Sequence, residues 1–119
     1  MDVEACLKAC VAIAGEMASS LDALGALPSS SFVGAGSEAA NAGIEKLADA
    51  LERHKKIQEK LWPAITSAPV KALYDAIAPL CLGSHICGAG NGGHVLCVLA
   101  PGATAAAAAA AVAACAEAP

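Results

Sequence analysis

Hydrophobic residues make up 57% of the 119-residue chain, but 32 of them are alanine, so bulky core material is scarce and at most one domain fits the length. A single Trp, Tyr and Phe exclude an aromatic cage or a base-stacking platform. With 11 acids against 7 bases, a net charge of −4 and no basic block, the chain lacks the electrostatic footprint of a nucleic-acid binder.

The amino terminus, Met1-Asp2-Val3-Glu4, carries acids where a secretory signal needs bases, and no run of about 18 apolar residues is present to cross a bilayer. The expectation is a cytoplasmic protein with no membrane partner. Without an export signal, the six cysteines are not expected to form a disulfide framework. Cys6 and Cys10 stand one helical turn apart, while Cys81, Cys87 and Cys97 lie in apolar surroundings where a thiol behaves as a small hydrophobe. No CxxC occurs, so the spacing offers no zinc site.

Residues 2–27 place Val3, Leu7, Cys10, Ala14, Met17, Leu21 and Leu24 at three-four spacing, which predicts one amphipathic helix over residues 1–27. Gly25 and Pro28 end it, and residues 28–37 (PSSSFVGAGS) read as a Ser/Gly linker with Phe32 as its bulky anchor. A second amphipathic helix follows, with Ile44, Leu47, Leu51, His54, Gln58 and Leu61 on one stripe. Asp49 with Arg53, and Glu52 with Lys56, are acid-before-base pairs four apart. The run Arg53-His54-Lys55-Lys56 alternates with acids and reads as a solvated face rather than a phosphate patch.

Trp62-Pro63 stops that helix, and Pro69 opens a third whose apolar face is Val70, Leu73 and Ile77. The period then changes. Residues 84–87 alternate, residues 88–93 (GAGNGG) are glycine-rich, and residues 94–100 form an apolar, partly β-branched run, so two strands flank a glycine-rich turn. Pro101-Gly102 breaks the second strand, and the alanine tract in residues 103–119 is either a last helix or a low-complexity tail. Residues 38–102 are the core of this α+β reading, an antiparallel sheet packed against amphipathic helices.

Gly88-x-Gly90-x-x-Gly93 has the spacing of the dinucleotide fingerprint, but a strand follows it where that fingerprint needs a helix N-terminus, and no GxxxxGK[ST] appears either. Two causes remain for four glycines in six residues: a hairpin turn that needs positive φ, or a loop whose backbone must approach an anion or another surface more closely than a Cβ permits.

Residues 80–101, LCLGSHICGAGNGGHVLCVLAP, resemble the third motif of the GHMP kinases, whose carboxy-terminal lobe carries a GAGGGG loop before an apolar strand. Residues 60–77, KLWPAITSAPVKALYDAI, are similar to the stretch preceding that motif in the fucose and heptose-phosphate kinases, and the likeness covers residues 52–101. It implies the carboxy-terminal lobe of an ATP- and Mg2+-dependent kinase that phosphorylates a sugar hydroxyl, with Gly88, Ala89, Gly90, Asn91, Gly92 and Gly93 beside the phosphates, where positioning and electrostatics supply the catalysis. Asn91 stands where the family usually has glycine and tolerates left-handed geometry; His94 stands where an aromatic is usual and is expected to fill a ring-shaped slot.

The family's PxxxGLGSSA-like phosphate loop, magnesium ligands and catalytic Asp are not in these residues. The resemblance therefore assigns no catalytic residue and no metal ligand here. It implies a chain inactive in isolation, whose partner is an amino-terminal kinase lobe that brings the main ATP and Mg2+ ligands and the sugar. The alternative is a stand-alone, non-catalytic α+β interaction or regulatory module. A third possibility, an enzyme using His85 or His94 with a cysteine, needs the strands to bring those groups together in a cleft.

Overall fold

A computed structural model describes residues 2–33, 36–87 and 94–117. The chain is α+β and mostly helical: helices α1 (Val3–Gly25), α2 (Glu38–Leu61) and α3 (Ala68–Ile77) precede strands β1 (Cys81–Cys87) and β2 (His94–Leu99), and helix α4 (Ala105–Glu117) follows. The molecule measures 41 × 40 × 18 Å, which is about two layers of secondary structure thick.

Local chemistry starts each long helix. The Asp2 carboxylate accepts the Ala5 N–H of α1, Ser37 Oγ accepts the Ala40 N–H of α2, and Thr104 Oγ1 accepts the Ala107 N–H of α4, each at 3.1 Å. Pro69 lies in the first turn of α3, where its missing N–H costs nothing. In the segment between α1 and α2, Ser29–Phe32 form a 3-10 turn, and Phe32 is 46% exposed, so about half of its surface is covered. Ala100-Pro101-Gly102-Ala103 closes by an N–H to carbonyl bond of 3.0 Å with Gly102 at φ 83°, the positive angle that the third position of a type II turn demands.

The buried side of α1 is rotated away from the stripe expected from its spacing. Ile13 is the buried residue, with Cys6, Cys10, Met17, Ser20 and Leu24 half-buried beside it, while Val3, Leu7, Val11 and Leu21 are exposed. Two contacts go with the rotated side: the Arg53 guanidinium reaches Glu16 at 2.8 Å and Asp49 at 2.9 Å, and the Leu24 side chain lies against Gly43 of α2. On α2 the most buried positions include three alanines, Ala40, Ala48 and Ala50, together with Leu51. Their small side chains let neighbouring backbones come close. At Gly83 of β1 an added Cβ would lie 2.7 Å from the Ala48 carbonyl oxygen, so this strand sits on α2 because both residues are small.

The sheet is one antiparallel pair, with Cys87 opposite His94, His85 opposite Leu96 and Ser84 opposite Cys97. The register shifts by one between Cys81 and Gly83, a bulge that leaves Cys81 opposite Leu99. β1 begins three residues earlier than its alternating pattern indicates, because a Cys81–Cys97 disulfide extends the pairing past the bulge. This corrects the expectation that both sulfurs act as separate small hydrophobes. Gly83 to Ile86 are buried in succession, so helices cover both faces of β1. Ile86 joins Ile65, Val70 and Tyr74 in the core cluster, with Val95 packed against it.

Candidate functional site

Helix α2 and strand β1 meet through a polar seam that leads to the glycine-rich segment. The six residues assigned to a phosphate-proximal loop, Gly88, Ala89, Gly90, Asn91, Gly92 and Gly93, lie outside the described residues. Their flanks are described. Cys87 and His94 are direct register partners, so the two strand ends that flank the segment lie opposite each other.

One turn of α2 supplies Glu52, Lys55 and, between them, His54. Glu52 Oε1 accepts the backbone N–H of Ser84 at 2.9 Å and the Lys55 ammonium at 2.8 Å. Lys55 also donates to Ser84 Oγ at 3.3 Å, and its Nζ lies 4.1 Å from the centre of the Tyr74 ring. Its side chain is only 13% exposed, so it is no part of a solvated face, and the acid-base pair formed is Glu52 with Lys55 rather than with Lys56. The reason is the strand: β1 lies against this face of α2 and brings an N–H and a hydroxyl that a carboxylate and an ammonium can satisfy together.

Tyr74 fixes the seam from the α3 side. Its hydroxyl oxygen accepts the Ile86 N–H at 2.8 Å, and burial pushes its ionisation upward, so the phenol stays neutral. Together Glu52, Lys55, Tyr74, Asp75, Cys81 and Ser84 border a cavity of about 310 Å³.

His54 and His85 form the second contact, Nδ1 to Nε2 at 2.8 Å. His85 Nδ1 is bonded to the Ile86 carbonyl oxygen, which can only accept, so His85 carries its proton on Nδ1. Its Nε2 is then the acceptor, and His54 donates from Nδ1. Burial, and then the neighbouring His85, depress the His54 pKa. His85 is buried as the β1 pattern allows, but its bonds are to a histidine and a carbonyl, and no described hydrogen bond joins either strand histidine to a thiol. His94 is exposed and fills no ring-shaped slot.

The sequence placed His54 on the apolar stripe of α2 and singled out His85 on β1, but the pairing of the two, 31 residues apart, depends on tertiary packing. Lys55 was missed as a buried group because nothing local distinguishes it from Lys56. Among the described residues no group of three or more His, Cys, Asp or Glu is placed to hold a metal, and no helix is long and apolar enough to cross a membrane. Comparison of the chain with protein-family models, curated proteins and solved structures gives no match.

Proposed function

We propose that this chain is the carboxy-terminal lobe of an ATP-dependent, cytoplasmic sugar kinase of the GHMP type, fucokinase-like, contributing the glycine-rich segment beside the phosphate site. One observation carries the reading beyond the resemblance itself. The residues on either side of positions 88–93 are paired in the ladder, and β1 is held to α2 and α3 by Glu52, His54 and Tyr74, so the β1 end of the segment is fixed to the helices and the β2 end is paired to it.

In this reading the described cation nearest the hairpin, Lys55, is already neutralised by Glu52 and is not the phosphate ligand. Backbone N–H groups within residues 88–93 take that role, which suits a segment where side chains are small. ATP and Mg2+ enter against the amino-terminal lobe, which also brings the sugar hydroxyl. This chain's contribution is to hold and neutralise developing phosphate charge rather than to move a proton.

The non-catalytic interaction module remains a second reading, favoured by the exposed apolar residues Val3, Leu7 and Val11 along α1. Phosphoryl transfer separates the two. Native assemblies captured through this chain should convert ATP and a free sugar to ADP and sugar phosphate, and Gly90→Val should lower that rate at least about a hundredfold, as loss of a positioned charge-stabilising donor does. Equal rates in the variant and the parent would overturn the reading.

A further inference from the structure

The Cys81–Cys97 bond occupies an unusual place in the hairpin. Ser84, not Cys81, is the register partner of Cys97, so the bond crosses the ladder diagonally, with Cα atoms 6.2 Å apart, over the bulge between Cys81 and Gly83. It therefore holds a pairing that is offset by one residue. A strand pair freed of such a link can slide by one residue, and with period-two side chains that slip exchanges its faces.

The two strands are not equally anchored. β1 is tied to the helices by the Glu52 carboxylate on the Ser84 N–H, by the Tyr74 hydroxyl on the Ile86 N–H and by His54 on His85. β2 has no buried residue, packs Val95 against the core cluster and, among the described residues, pairs only with β1. A two-stranded ribbon is marginal by itself in water, and at the end remote from residues 88–93 the disulfide and the Ala100 N–H on the Leu80 carbonyl, 2.9 Å, join β2 to the start of β1. The bond is also reachable. Cys81 borders the open cavity shared with Glu52, Lys55 and Ser84, and Cys97 on β2 is half-buried.

We propose that Cys81–Cys97 is a redox switch that sets whether β2 is locked in its offset register on β1. The reductant is a pair of thiols from the cellular pool, two glutathione molecules or the two arms of one dithiol. One of its thiolates attacks Cys97 Sγ, the Cys81–Cys97 bond breaks and Cys81 leaves as a thiolate into the cavity that Lys55 also lines. The reductant's second thiol then attacks the mixed disulfide, releasing Cys97. Two electrons pass to the protein, its two sulfurs end as thiols after protonation, and the reductant ends as a disulfide. Oxidised chain keeps the β2 end of residues 88–93 paired to the anchored β1 end, and reduced chain releases the β2 end. The switch is a property of the hairpin and stands whether or not those residues meet a phosphate.

The test uses the full chain equilibrated in reduced and oxidised glutathione mixtures, with thiols counted by alkylation and intact mass, and with backbone amide exchange followed by element. The oxidised form should show four reactive thiols, Cys6, Cys10, Cys87 and Cys115, and the reduced form all six. Reduction should speed exchange in β2 roughly tenfold or more while α1 and α2 change less than about twofold, and reoxidation should restore it. Cys97→Ser should reproduce the reduced pattern, and Cys87→Ser should keep the switch. Unchanged β2 exchange on reduction, simultaneous opening of every element, or survival of the bond in glutathione of cytoplasmic ratio would each overturn the proposal.

Discussion

His54 donates its Nδ1 proton to Nε2 of His85 across 2.8 Å, and this bond joins the middle of α2 to the strand that leads into the glycine-rich segment. The direction of donation follows from the Ile86 carbonyl, which takes the other His85 proton. A proton added to His54 would place a charge beside His85 in a half-buried site, so pH is the natural probe of this contact.

Because burial and His85 depress the His54 pKa below its ordinary 6.5, the unfolded chain takes up the proton first as pH falls. Stability from this group is complete above about pH 6.5, declines as pH drops through that value, and levels off below the folded pKa. Urea midpoints measured between pH 8 and pH 5 should fall over this window. His54→Phe should flatten the profile there, and an unchanged slope in the variant would assign the pH effect to other groups.

Two glycine replacements should act in opposite directions. Gly83→Ala drives a Cβ to 2.7 Å from the Ala48 carbonyl oxygen, a backbone atom that cannot swing aside, so a loss of about 1–3 kcal/mol is expected. Gly15 lies inside α1 with nothing within 4 Å of an added Cβ, so Gly15→Ala should gain about 0.5–1 kcal/mol by helix propensity. Thermal unfolding of the two single variants beside the parent measures both.

Tyr74→Phe keeps the ring over which Lys55 sits but removes the oxygen that accepts the Ile86 N–H. A buried amide left without an acceptor costs about 1–3 kcal/mol, and the Ile86 amide should exchange with solvent faster than its neighbours on β1. If Ile86 exchange stays as in the parent, the tyrosine hydroxyl is not its acceptor.

The helices and the strand pair were legible because they rest on local signals: three-four apolar spacing, Pro69 in a first turn, alternation at residues 84–87. What packed against what was not. In a chain so rich in alanine, a close contact falls on Ala48 and Gly83, which leave no hydrophobic pattern to read, and α1 carries apolar residues over so wide an arc that its buried side shows only once Ile13 and Leu24 are packed and Arg53 reaches Glu16. The disulfide escaped for a related reason, since the partners are brought together by a bulge that sequence spacing does not encode. Of the candidate site, the glycine-rich segment was legible from composition, whereas the Glu52, Lys55 and Tyr74 seam supporting its base required the strand to be in place.

Glu52 serves two donors at once, and that dual role predicts strong non-additivity. Glu52→Ala removes the acceptor for both the Ser84 N–H and the Lys55 ammonium, leaving a cation that is 13% exposed without its counter-charge, and should cost about 2–4 kcal/mol. Lys55→Met keeps most of the aliphatic stem against Tyr74 and leaves a carboxylate that still accepts from Ser84 and is itself one-third exposed, so its cost should be smaller, about 1 kcal/mol. In the double variant the stranded ammonium is gone, and the total should fall short of the sum of the singles by at least about 1 kcal/mol. Urea unfolding of the four proteins of this cycle gives the coupling directly. Additive costs would mean that Lys55 is stabilised by Ser84 and the Tyr74 ring alone, and that the carboxylate matters only as the clamp on β1.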